Sequence, residues 1–300
     1  MRTDPRVAII GAGPAGIACA VQLKRSGISP VVFEQGRVGG LLNNAFSIEN
    51  YPGFPKGVSG QNLVRRFNAQ LQHWQIPVVH ELVKSVHSNN GVYVLQTAKE
   101  HYADFLVVAS GTKPILPDIG FAMHSDRVLY EVYPILRKRN NTVVIIGSGD
   151  AAFDYALNLC RRNRVYILNR GQNTRALALL QKRAKSMGEK RIIYLTKTWI
   201  KEIRQRCRGF SLVTNHCGKH KILLCNYLLY AIGREPALDF LSFPLRKKTS
   251  TGGRIMYIGD VKNGNARQTS IAVGDGVRTA MEIYDMHRRR GELEKRGNGE

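Results

Sequence analysis

Two glycine-rich loops hold the residues best suited to chemistry in this 300-residue chain. Gly11-Ala12-Gly13-Pro14-Ala15-Gly16 follows the apolar run Val7-Ala8-Ile9-Ile10, and Gly147-Ser148-Gly149-Asp150-Ala151-Ala152 follows Val143-Val144-Ile145-Ile146. An apolar strand, a glycine turn and an alanine-rich helix together suit a dinucleotide. The first glycine makes the turn, the second lets a pyrophosphate reach the backbone, and the third lets helix and strand close up. The helix N-terminus then offers unpaired N–H groups to phosphate. One such loop is a weak signal. Two predict a pair of dinucleotides on one protein, which suits electron transfer between them.

The residues after each loop separate the two sites. Glu34 ends the run Pro30-Val31-Val32-Phe33, 18 residues after Gly16. There a carboxylate can accept hydrogen bonds from an adenosine ribose. In the second copy Asn169 takes that place after Val165-Tyr166-Ile167-Leu168, followed by Arg170 and, five residues on, Arg175. Without a carboxylate a 2′-phosphate is not repelled, and arginines can pair with it. The second site is therefore expected to prefer NADPH to NADH.

Those loops must be positioned by elements that recur along the chain. Each copy closes with a strand and a turn, Leu106-Val107-Val108-Ala109-Ser110-Gly111-Thr112-Lys113-Pro114 and Leu228-Leu229-Tyr230-Ala231-Ile232-Gly233-Arg234-Glu235-Pro236. Ahead of each lies the alternation of antiparallel strands, Val92-Tyr93-Val94-Leu95 and Phe210-Ser211-Leu212-Val213. The expected fold is α/β, with two Rossmann-like (three-layer ββα) dinucleotide-binding domains, the second inserted into the first. The predicted spans are 1–112 and 236–300 for the first domain and 113–235 for the second. The charged tail from Arg288 is expected to fray.

Composition narrows the class. With 43% hydrophobic and 22% charged residues, the chain can bury a substantial core. No apolar run approaches the roughly 20 residues of a membrane helix. A strand begins by Val7, leaving no room for a signal peptide. Five widely spaced cysteines read as reduced thiols of a cytoplasmic protein. Net charge is +23, concentrated in residues 137–208, which hold 18 Lys and Arg against 4 Asp and Glu. Such a field attracts acidic proteins, nucleic acids or anionic cofactors. The aromatic-interleaved basic motifs of nucleic-acid recognition are absent from the sequence.

Beyond the first loop, Gly39-Gly40-Leu41-Leu42, Glu49-Asn50-Tyr51-Pro52-Gly53-Phe54, Ile258-Gly259-Asp260 and Ala266-Arg267-Gln268 follow in order. This set resembles the FAD site of low-molecular-weight thioredoxin reductases, which the related thioredoxin-reductase-like ferredoxin/flavodoxin–NADP reductases largely share. The resemblance covers almost the whole chain. It implies FAD held by Gly11, Gly13, Pro14, Ala15, Gly16, Glu34, Gly40, Leu41 and Gly111. Asp260 would lie against the ribityl or pyrophosphate region, with Asn50, Arg267 and Gln268 near the flavin. It also implies NADPH on Gly147, Ser148, Gly149, Asp150, Ala151, Asn169, Arg170, Arg175 and Gly233, and a homodimer. Gly171 departs from a third arginine position of the 2′-phosphate site.

One part of the resembling family's chemistry has no counterpart. Thioredoxin reductases pass electrons from flavin to a Cys-x-x-Cys pair just ahead of the second loop, and this chain contains no Cys-x-x-Cys. The matching stretch reads Tyr130-Glu131-Val132-Tyr133-Pro134, so Tyr130 and Tyr133 become candidates to gate the flavin, with interface contacts as the plainer reading. His216-Cys217-Gly218-Lys219-His220 matches no compact zinc spacing and reads as a hairpin turn, so no metal is assigned. The expected activity is electron transfer from NADPH through FAD to an external acceptor. Ferredoxin or flavodoxin is one candidate; a quinone, an external disulfide or a small molecule are others. A flavin- and NADP-binding regulator or scaffold without turnover is the alternative.

Overall fold

The computed structural model describes residues 5–117, 125–246 and 253–297. The chain divides into two units. Residues 1–43, 49–113 and 235–300 form the first, and residues 44–48 and 114–234 the second. The pentapeptide Asn44–Ile48 thus belongs to the second unit, although it lies inside the span read as the first domain.

Each unit is built on a five-stranded parallel sheet with its glycine-loop strand in the middle. In the first the order is Ile255–Tyr257, Phe105–Val108, Val7–Ile10, Pro30–Phe33, Val78–Val79. In the second it is Ile192–Leu195, Arg164–Leu168, Thr142–Ile146, Tyr227–Tyr230, Val128–Leu129. Strands covered on both faces must be apolar throughout. Val7–Ile10, Phe105–Val108 and Tyr227–Tyr230 are accordingly buried at every position.

Among the described residues six helices complete the units. Helix α1 (Pro14–Arg25) begins at a proline whose fixed φ suits a first turn. In α2 (Gly60–His73) the Ser59 Oγ caps the start by accepting from the Asn62 N–H at 3.3 Å. Helix α3 (Asp150–Leu159) carries Asp150 in its first turn, where the dipole favours a carboxylate. Helices α4 (Ala178–Ser186), α5 (Phe243–Arg246) and α6 (Thr269–Gly297) follow. Helix α6 lies close against α1 because Gly276 has no side chain; a Cβ there would sit 2.2 Å from the Ala15 carbonyl oxygen. Where the tail from Arg288 is expected to fray, α6 runs helical to Gly297, and residues 298–300 lie outside the described residues. Arg, Glu, Leu and Lys are good helix formers, and that local preference outweighs the tail's polarity.

The alternating segments form antiparallel sheets of three strands. They are Ser85–Asn89, Val92–Gln96 and Glu100–Ala103 in the first unit, and Thr198–Arg206, Gly209–His216 and Lys219–Cys225 in the second. In the second unit alternate residues of the parallel strands serve two cores. Val143, Ile145 and Ile167 pack with Phe153 and Leu157 of α3. Val144, Leu228 and Tyr230 pack with Phe210 and Leu212 of the antiparallel sheet. This is the expected three-layer ββα arrangement. Among the described residues no helix is long and apolar enough to cross a membrane.

Candidate functional site

The glycine loops repeat one geometry in both units. Gly11 has φ +108°, and a Cβ on it would lie 2.3 Å from the Ala109 carbonyl oxygen. Gly147 has φ +130°, and its Cβ would lie 2.2 Å from the Ala231 carbonyl oxygen. Both turns therefore exclude any side chain. Gly13 and Gly149 differ: both have extended backbones, and a Cβ on either would meet nothing within 4 Å. Open space thus stands at the N-terminus of α1 and of α3. A pyrophosphate needs just such a gap to reach the helix N–H groups. Gly16 lets α1 close on its loop, since a Cβ there would be 2.0 Å from the Gly11 carbonyl oxygen.

Glu34 and Asn169 occupy corresponding strand ends and behave differently. The Glu34 carboxylate accepts from the Ala12 N–H (2.8 Å, Oε2) and the Gly36 N–H (2.8 Å, Oε1). Two backbone bonds aim the group, and its remaining lone pairs can accept from hydroxyls. The Asn169 amide is fully engaged within the protein. Its Nδ2 donates to the Asn173 carbonyl and to the Tyr194 hydroxyl, and its Oδ1 accepts from the Gly171 N–H at 2.9 Å. Asn169 is thus a neutral pin for the following turn. That turn carries the exposed Arg170 and Arg175 and is latched to the glycine loop. Thr174 Oγ1 donates to the Ser148 carbonyl at 2.6 Å, and the Leu177 N–H donates to Asp150 Oδ1 at 2.7 Å.

Asn50 and Gln268, two further predicted site residues of the first unit, meet. The Asn50 Nδ2 donates to the Gln268 Oε1 at 2.8 Å across 218 positions. Asp260 lies in the 3-10 turn Gly259–Val261, half-buried, after the strand Ile255–Tyr257. Gly40 and Leu41 open the 3-10 turn Gly40–Asn44, whose preceding Gly39 N–H donates to the Ala12 carbonyl at 2.7 Å. The Gly111 carbonyl accepts from the Ala237 N–H, and the Gly233 carbonyl from the Ile115 N–H. Arg267 is half-buried nearby in sequence to Gln268.

The second unit contains a cavity of about 940 Å³ along the ends of its parallel strands. Gly147, Gly149, Arg170 and Arg175 line it, as do Tyr130 and Tyr230. The two tyrosine rings stack with centroids 5.9 Å apart. Tyr133 starts a 3-10 turn, and its N–H donates to the Asn44 Oδ1 at 3.0 Å. Around it lies a polar clasp absent from the sequence reading. Asn44 Nδ2 donates to Glu131, the Asn158 Nδ2 donates to the Asn44 carbonyl, and the Phe46 N–H donates to Asp154 Oδ2 at 2.9 Å. Burial pushes the Asp154 carboxyl up to about 6, with Asp150 adding to the rise and backbone N–H bonds from Phe46 and Ser47 opposing it.

All five cysteines are free thiols. Cys19, Cys160 and Cys225 are buried, and burial raises each thiol, that of Cys225 to about 12. Cys207 and Cys217 are exposed. They flank opposite ends of the strand Gly209–His216, roughly 25 Å of extended chain, so they cannot pair. An alkylating reagent is expected to modify two thiols of the native protein and all five after denaturation, counted by intact mass. Rapid native modification of a third would contradict the burial described. Among the described residues no group of three or more His, Cys, Asp or Glu could hold a metal.

Two Rossmann-type units, each with an open glycine cradle at a helix start, define the fold. The sequence profile of the family described as "Pyridine nucleotide-disulphide oxidoreductase" matches residues 5–284. The chain belongs to this family. It is similar to thioredoxin reductase 2 of Arabidopsis thaliana, with 27% identity covering 92% of this chain and 80% of that one. It is also similar to the thioredoxin reductase of Chlamydia trachomatis, with 27% identity covering 93% and 97%. Among solved structures, the Lactococcus lactis thioredoxin reductase superposes with a TM-score of 0.84 at 27% identity, covering 95% of this chain and 100% of that one.

Proposed function

We propose that the protein is an FAD-dependent NADPH oxidoreductase that is thioredoxin-reductase-like but passes electrons to an external acceptor without an internal dithiol. One observation carries this reading. Both cradles, at Gly13 and Gly149, are open to a pyrophosphate, while the sequence has no Cys-x-x-Cys. When bound, FAD would supply the two-electron centre that accepts hydride from the nicotinamide. In the first unit Glu34 would take the adenosine ribose hydroxyls, and Gly11, Gly13, Pro14, Ala15 and Gly16 the pyrophosphate. Gly40, Leu41 and Gly111 would line the path, with Asp260, Asn50, Arg267 and Gln268 toward the flavin end. In the second unit Gly147, Ser148, Gly149 and Ala151 would hold the other pyrophosphate, and Arg170 and Arg175 the 2′-phosphate.

The chemistry asked of the protein is orientation more than acid–base catalysis. Tyr130 and Tyr133 stand in the stretch that matches the family's dithiol, and one of them would gate the flavin, packing being the plainer role. The excess of 18 cations over 4 carboxylates in residues 137–208 favours an acidic acceptor such as ferredoxin or flavodoxin. By family likeness the working form is a homodimer.

The test is an anaerobic titration followed by flavin absorbance. NADPH is expected to bleach the flavin at lower concentration than NADH. The Arg170→Ala/Arg175→Ala double variant should need about 10- to 100-fold more NADPH, with its NADH response unchanged. A yellow protein bleached by neither nucleotide would leave the regulator reading in its place.

A further inference from the structure

We propose that the second unit carries a docking surface for the phosphate backbone of a nucleic-acid duplex, bound without regard to sequence, at the end of its parallel sheet opposite the glycine loop. The inference goes beyond the reductase reading and does not depend on it.

Topology gathers the cations. The strands of a parallel sheet all begin at one edge, and nucleotides sit at the other, beyond the carboxyl ends. Ile192–Leu195, Arg164–Leu168 and Thr142–Ile146 are neighbours in that order. Each is entered through a basic segment. Arg137, Lys138 and Arg139 lead into the strand at Thr142. Arg161 and Arg162 lead into the strand that begins with Arg164, and Lys190 and Arg191 into the one that begins with Ile192. All of these cations are exposed. They are eight of the 18 in residues 137–208, and Glu189 is the one acid in segments 137–141, 161–164 and 188–191. The length of the strand Thr142–Ile146 sets them roughly 15 Å from the glycine loop.

The basic edge is held in place. The Asn140 N–H donates to the Arg162 carbonyl at 2.8 Å, the Arg164 N–H to the Asn141 carbonyl at 2.9 Å, and the Val165 N–H to the Arg191 carbonyl at 2.8 Å. Buried Asn163 adds two ties: its Oδ1 accepts from the Asn141 N–H at 3.1 Å, and its Nδ2 donates to the Lys138 carbonyl at 3.0 Å. Adjacent strands lie about 4.8 Å apart, so the three segments form a row of charge at fixed spacing. Among the described residues none of the eight cations forms an ion pair with a carboxylate. Such charges repel one another, and a polyanion relieves the repulsion.

Residue type selects the polyanion. Six of the eight are arginines, whose planar fork matches phosphate oxygens bidentately. The three segments contain no large apolar and no aromatic residue. They therefore lack the apolar centre of a protein interface and the apolar face that enters a membrane. They also lack the rings on which single-stranded bases stack. A duplex, whose phosphates face outward and whose bases need not be touched, fits what remains.

The experiment measures binding of the whole protein to fluorescent duplexes of about 20 base pairs, in two unrelated sequences, by anisotropy. Both sequences should bind alike, and affinity should fall by at least about 100-fold between roughly 50 and 200 mM salt. The Arg139→Gln/Arg162→Gln/Lys190→Gln variant takes one exposed cation from each segment. It should lose at least about 20-fold in affinity, and its log–log salt slope should shrink by about 2 to 3. A control, Lys201→Gln/Lys219→Gln/Lys221→Gln, removes equal charge from the antiparallel sheet and should change affinity by less than about 3-fold. An unchanged melt reports that both variants are folded. A wild type that does not bind duplex, or two variants that lose affinity equally, would overturn the inference. So would tighter binding, sensitive to the same three substitutions, to vesicles of equal parts phosphatidylcholine and phosphatidylglycerol or to polyglutamate. Those results would assign the surface to a membrane or to an acidic protein.

Discussion

Gly149→Val is expected to abolish flavin bleaching by NADPH while the protein stays folded and yellow. The reason is the contrast between two glycines two residues apart. Gly149 has φ −88° and ψ −177°, extended backbone that valine adopts readily, and a Cβ there meets no protein atom within 4 Å. The added side chain would occupy the space through which a pyrophosphate approaches α3. NADP⁺ affinity should fall by at least about 100-fold, with an unchanged circular dichroism melt. Gly147→Ala should do the reverse. At φ +130°, with its Cβ placed 2.2 Å from a backbone oxygen, alanine should destabilise the unit by roughly 2–4 kcal/mol. Wild-type NADP⁺ affinity in Gly149→Val would show that the cradle is not the nucleotide site.

Asp154→Asn should make the protein more stable at neutral pH and flatten its stability between pH 4 and 6. The folded chain holds the Asp154 carboxyl up at about 6, chiefly by burial, against an ordinary value of 3.8. Between these values the folded state keeps a proton that the unfolded chain has released. Stability therefore falls as pH rises through that window and levels off above it. The shift corresponds to about 3 kcal/mol at pH 7 and above. Asparagine retains an oxygen to accept the Phe46 N–H bond and removes the buried charge. Unfolding free energies from denaturant titration should nearly coincide for the two proteins at pH 4 and separate by about 2–3 kcal/mol at pH 7.5, the variant being higher. Parallel pH profiles would show that Asp154 ionises freely in the native state.

The glycine loops were legible because their geometry is local. Gly11, Gly13 and Gly16 act within a single turn, and the four apolar residues before them announce a buried strand. Glu34 was legible for the same reason, as a fixed distance along one βαβ unit. Asn169 was found by position, but its engagement with Tyr194 and Asn173 needed coordinates. The Tyr130–Tyr230 stack was hidden for a different reason. It depends on the parallel pairing of Leu228 with Val128 and Leu229 with Leu129, a register joining positions 100 apart. Both tyrosines were already in view, one opposite the missing dithiol and one in the closing strand. The clasp at Asn44–Ile48 gave no signal, because five residues without periodicity show no preference for either unit. The tail of α6 reads as frayed from its charge alone, yet helix propensity carries it to Gly297.

Asn44–Ile48 also bears on how such proteins are assembled in evolution. A continuous segment from 114 to 234 looks like a cassette that could be copied into another gene. It would arrive without the pentapeptide, leaving Asp154, Asn158 and the Tyr133 N–H without the partners they have here. Recombination at the two obvious boundaries is thereby penalised. The five residues tie the inheritance of the second unit to that of the first.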